Sequence, residues 1–170
     1  MATPDKPLEQ MTAQERLKLG RSLYKDGKFD EAIAVWSKIR REEADSEIYA
    51  RALLGLGAAY AESGKLDQAI KILSNISHDN DPETYARAQL NLGVTYHAQG
   101  ELEEAITAWS NIHHDDDPDA YAKAQFNLGK IYEYKGDIKQ AKEAYRNVQG
   151  SLYYRGEREY KILECPPGSH

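Results

Sequence analysis

A chain of 170 residues with one cysteine, two methionines and two phenylalanines has little of the usual material for stapling or filling a core. The lone thiol, Cys165, allows no intrachain disulfide, and a reducing cytoplasm is the expected compartment. Basic residues are in the minority, 22 Lys and Arg against 28 Asp and Glu, for a net charge of −6. Duplex nucleic acid is therefore not expected as a partner, because phosphate binding needs clustered cations. No apolar run approaches the roughly 20 residues of a membrane span. The opening residues Met1 to Pro7 lack an apolar core, so no secretory signal and no membrane partner are expected. Catalytic patterns are also missing. Gly55-Leu56-Gly57 falls inside a helical pattern rather than a phosphate loop, there is no nucleophile elbow, and neither enzyme activity nor a cofactor is expected.

What is abundant is tyrosine, 12 residues against two Phe, and it recurs by position. Leu-Gly pairs stand at 19–20, 56–57, 92–93 and 128–129, in steps of 37, 36 and 36. The same steps separate Ala32, Ala69, Ala105 and Ala141, and also Trp36, Leu73, Trp109 and Tyr145. Residues 82–117 match 46–81 at 19 of 36 positions and match 118–153 at 13, so the chain is an internal repeat. The extra residue of the first step lies between Ile39 and Tyr49, in an expected loop.

Each unit reads as two helices. Tyr85, Gln89, Leu92 and Tyr96 share one helical face, and Leu102, Ala105, Ile106, Trp109 and Ile112 form the stripe of a second helix. Asp81-Pro82-Glu83 and Asp117-Pro118-Asp119 are start signals with the Asp as cap, and Thr12 to Glu15 reads as a capping box. Gly27, Gly64, Gly100 and Gly136 suit the left-handed residue that ends the first helix. Gly93 and Ala105 are expected to meet where paired helices approach closely, with the bulky residues filling the space towards the next unit.

These residues resemble the tetratricopeptide repeat. The third unit supplies Leu92-Gly93, Tyr96, Gly100, Ala105 and Trp109, and the other three supply their counterparts. The related Sel1-like repeat, with a longer turn between its helices, is the alternative. The resemblance implies an all-α, right-handed α-solenoid of four helical hairpins at about 11–44, 45–80, 81–116 and 117–150. A flexible arm would precede it over 1–10, a cap or arm would follow over 151–164, and 165–170 would be a disordered tail. The family implies a non-catalytic adaptor whose first helices line a concave groove for a protein or peptide.

Projected onto that groove, the polar face of the first helices offers Arg51, Leu54, Arg87, Leu90, Asn91, His97, Lys123, Phe126, Asn127, Lys130 and Tyr134, with Arg21 beside them. Arg51, Arg87 and Lys123 occupy one repeat position. They could meet an acidic partner, or simply pair with Glu47, Glu83 and Asp119 four residues earlier. Leu54, Leu90 and Phe126 stand where the family's carboxylate clamp would place a lysine, so the clamp is not implied. The loops around His78 and His113-His114 carry Asp and His, but the Asp residues read as caps and no metal site is expected. A self-assembling protein, oligomerising through its terminal repeats or its C-terminal segment, is the alternative function.

Overall fold

The computed structural model describes residues 6–79 and 81–155, with side chains as far as Val148. A short 3-10 turn, Leu8–Gln10, precedes eight helices: α1 (Ala13–Lys25), α2 (Phe29–Trp36), α3 (Ser46–Glu62), α4 (Leu66–Leu73), α5 (Pro82–Gln99), α6 (Leu102–Ser110), α7 (Pro118–Tyr134) and α8 (Ile138–Arg155). Consecutive helices pack in pairs, and α1, α3, α5 and α7 also pack in sequence against one another. The result is an all-α solenoid of four hairpins. Among the described residues, no helix is long and apolar enough to cross a membrane.

The helix ends follow local chemistry. Thr12 Oγ1 accepts from the Glu15 amide at 3.2 Å, and the Thr12 amide donates to Glu15 Oε2 at 2.7 Å, closing the expected capping box. Hydrogen bonds from the Lys6 ammonium and the Thr12 amide draw the Glu15 pKa down to about 2. Gly27, Gly64, Gly100 and Gly136 have φ of 73°, 72°, 83° and 78°, the left-handed turn into each second helix. The longer first connection is tied down by Arg16. Its guanidinium donates to the carbonyls of Leu8 (3.1 Å) and Lys38 (2.9 Å) and to Glu43 (3.2 Å).

The two Asp-Pro starts differ. Asp117 caps α7, its Oδ1 accepting from the amides of Asp119 (3.0 Å) and Ala120 (3.1 Å). Asp81 sits at the same position of α5, but its side chain takes no backbone amide. Its carboxylate accepts from the Thr84 hydroxyl at 2.5 Å instead. The fourth unit has Ala120 where the third has Thr84, so nothing there diverts the carboxylate from the helix end.

The repeated spacing of Gly and bulky residue is a packing device, in which the bulky side chain lies over the glycine. A Cβ on Gly93 would lie 2.2 Å from Trp109 Nε1, and one on Gly20 would lie 2.3 Å from Trp36 Nε1. The indole itself takes the space. Each indole N–H then donates to a main-chain carbonyl of the partner helix, Trp36 to Leu17 (3.2 Å) and Trp109 to Leu90 (3.1 Å). Trp36 also fills the space towards the next repeat, since a Cβ on Gly55 would come within 2.7 Å of its ring.

The last hairpin among the described residues departs from the others. α8 has 18 residues, whereas α2, α4 and α6 have 8, 8 and 9. It runs without interruption through position 150, where the fourth hairpin was expected to stop, and the cap or arm expected over 151–164 lies outside the described residues from 156 onward. Leu102 of α6 is half-buried, whereas its counterpart Ile138 is 54% exposed; half-buried Ile106 has exposed Lys142 as its counterpart.

Candidate functional site

The polar faces of the first helices do form a groove. A depression of about 540 Å³ crosses α1, α3, α5 and α7. Leu17, Leu54, Leu90 and Trp36 supply apolar lining, and Arg21, Arg51, Asn91 and Lys123 supply polar lining. Glu83, Arg87, Asp117 and Asp119 complete its charged wall.

Within it, the arginines of the repeated basic position are already engaged. Arg51 Nη2 lies 2.6 Å from Glu47 and its Nε lies 3.9 Å from Asp81. Arg87 Nη2 lies 2.6 Å from Glu83, and its Nε donates to Asp117 at 2.7 Å. Each thus binds the carboxylate four residues earlier and faces the N-terminal Asp of the next repeat's first helix. Burial disfavours the Arg87 cation, but the hydrogen bond to Asp117 and the surrounding carboxylates outweigh it, and its pKa is raised. Because Asp117 also caps α7, Arg87 links one repeat's helix face to the next repeat's helix start. Lys123 has no such continuation. The position after Asp81 and Asp117 in this series is Tyr153, and Lys123 makes no ion pair among the described residues.

The expected site residues do not form one surface. His97, Asn127, Lys130 and Tyr134 line a separate depression of about 610 Å³ between α5, α6 and α7, together with Val94, Leu102 and Trp109. Tyr134 is 84% exposed and Val94 50%, while the Trp109 ring is buried beneath them and lies 6.2 Å from His97. Phe126 lines neither depression. It packs 6.0 Å from the Tyr145 ring, with the Lys130 ammonium 5.5 Å from its own centroid.

In the loops opposite, His78 Nε2 lies 3.1 Å from both carboxylate oxygens of Asp116, joining successive repeats. His78 and His114 stand edge-on to Tyr85 and Tyr121 at 5.4 and 5.6 Å. Among the described residues, no group of three or more His, Cys, Asp and Glu is placed to hold a metal. The cross-repeat contacts of Arg87 and His78 escape sequence reasoning, because each partner lies 30 or more residues away. Their only trace is that acid and base recur at the same repeat spacing.

Comparison with known proteins agrees with this architecture. Models described as tetratricopeptide repeat match residues 23–89, 86–109 and 122–150, together well over half of the chain. No curated protein matches in sequence. A crystal structure of MamA is similar with a TM-score of 0.70 and 24% identity, over 84% of this chain and 80% of that one. A double mutant of MamA RS-1 gives a TM-score of 0.66 and 23% identity, over 85% and 78%. At that identity the likeness is one of fold. The repeated Leu-Gly pairs, the left-handed turn glycines, the stacked hairpins and the matching family models lead to one assignment: the chain belongs to the tetratricopeptide repeat family.

Proposed function

We propose that this protein is a non-catalytic, cytoplasmic adaptor that takes a peptide or partner segment in the groove of its first helices. The carrying observation is the groove spanning α1 to α7, with Leu54 and Leu90 as apolar contacts and Lys123 as a cation without an ion pair among the described residues. Family membership supports an interaction or scaffold role, since stacked repeats present extended surfaces suited to that purpose. Arg51 and Arg87 contribute through the shape of the wall more than through free charge, because their guanidiniums already hold carboxylates.

The test uses Lys123→Glu. Arg87→Glu would set a third carboxylate beside Glu83 and Asp117 and disturb the start of α7, confounding binding with folding. Pull-down from the native cell should recover a partner with the wild type and lose it with Lys123→Glu at unchanged helicity. Unaltered capture would remove the support for this groove. Self-assembly has an observation of its own, the exposed Tyr134 and Ile138 at the terminal hairpin. A mass that stays monomeric at all concentrations would count against it.

A further inference from the structure

The two depressions differ in charge balance. The larger wall of cations in the first depression is matched by Glu83, Asp117 and Asp119 in the same lining. The second depression contains Lys130 and His97 and no carboxylate among its lining residues. Lys130 makes no ion pair among the described residues; its ammonium rests over the Phe126 ring. In a protein of net charge −6, this is a local cationic site beside exposed apolar surface.

The repeat positions show how it arises. One position of the first helices reads Arg21, Ala58, Val94 and Lys130, so an apolar residue stands next to a cation across neighbouring helices between α1 and α3 and again between α5 and α7. Another reads Lys25, Glu62, Ala98 and Tyr134, so an aromatic ring joins the pair only in the last repeat. Asn127 adds an amide able to donate or accept, and Trp109 forms an apolar floor.

We infer that the depression bounded by Val94, His97, Trp109, Asn127, Lys130 and Tyr134 is a docking site for an acidic protein segment, in which one apolar side chain enters between Val94 and Tyr134 while a flanking carboxylate meets Lys130. The inference goes beyond the groove-binding reading above, because this depression is separate from that groove. A basic occupant is disfavoured by Lys130. A purely apolar one would leave Lys130 facing it without a counter-charge, at a cost in desolvation. Aromatic and cationic side chains flanking one pocket are also the residue types that concentrate binding energy in interfaces.

The test titrates the isotope-labelled full chain, followed by NMR, with a synthetic peptide Glu-Glu-Phe-Glu-Glu and with its uncharged counterpart Gln-Gln-Phe-Gln-Gln, both blocked at their ends. The acidic peptide should shift the Trp109 indole N–H and the amides of Val94 and Asn127, and the neutral one should bind measurably more weakly. Lys130→Ala should weaken the acidic peptide roughly fivefold, the scale of a single partly exposed ion pair, and Tyr134→Ala should weaken both peptides. Lys130 and Tyr134 are exposed, so neither change should alter the helical circular dichroism. Equal shifts from the two peptides, shifts clustered about Lys123 instead, or no shifts at millimolar peptide would overturn the site. The native partner separates this failure from that of the wider reading. Capture lost in Lys123→Glu but kept in Lys130→Ala rejects this anchor and leaves the groove standing. Peptide binding here with capture untouched by either variant supports the anchor and rejects the groove adaptor.

Discussion

The third and fourth hairpins share 13 of 36 residues and the same helix–turn–helix plan, yet one sits between two hairpins and the other is the last among the described residues. In the third, Trp109 is 2% exposed, fills the space over Gly93 and bonds to Leu90. In the fourth, Tyr145 takes the same position over Gly129, only half-buried, with its hydroxyl donating to Glu133 at 2.7 Å. The substitution exchanges an anchored indole for a ring with a polar tip. The difference teaches that a repeat position has one steric role but takes its polarity from what stacks on it.

The strongest way to break the equivalence is truncation of the two rings. Trp109→Ala should cost about 3–5 kcal/mol, since truncating a fully enclosed aromatic leaves a cavity and loses the indole's hydrogen bond to Leu90. Tyr145→Ala should cost clearly less, because solvent reaches its site; chemical denaturation of both variants measures the contrast. Overpacking comes next. Gly93→Leu should cost about 1–3 kcal/mol against the buried indole, whereas Gly129→Leu should cost less, since the Tyr145 ring over it is only half-buried. Equal losses in thermal unfolding would mean that the terminal ring is as confined as the internal one.

A smaller contrast lies in the caps. Asp117→Ala removes two amide contacts and the partner of Arg87, and should cost about 0.5–2 kcal/mol of stability. Asp81→Ala removes only a hydroxyl contact and a distant guanidinium, and should sit at or below the bottom of that range. The least effect is electrostatic. Asp137 has its pKa lowered, chiefly by the amide of Gln140, which donates at 3.1 Å. At the matching position of the third hairpin, Glu101 makes no side-chain cap. A lowered carboxyl pKa supports the fold above the ordinary carboxylate value and ceases to do so as pH falls through the folded value. The Gln140 amide should therefore shift in that acid range by NMR, while the matching Glu104 amide, which no N-cap side chain holds, should not. Identical titrations would remove the distinction.

Much of this architecture is legible in the sequence because it is periodic. The Leu-Gly pairs, turn glycines and capping box are local signals, and each acts within a few residues of itself. The candidate site was legible residue by residue but not as a surface. Arg51, Arg87 and Lys123 look alike along the chain; stacking turns two of them into inter-repeat links and leaves the third without one. His97 and Tyr134 belong to the same projected face as Arg51, yet they line a different depression. Asp81 and Asp117 carry the same Asp-Pro signal, and a single hydroxyl at Thr84 changes what the carboxylate binds.

The sequence by itself determined the number of hairpins, the places where helices start and turn, and the residues that need a small neighbour, because these depend on backbone conformation and on spacing within one unit. Only the tertiary structure decided which charges are already answered, which site residues fall into which depression, and how closely Trp109 lies over Gly93. Those outcomes depend on contacts between residues 16 to 38 positions apart, and an identical local sequence has different neighbours wherever the stack begins or ends.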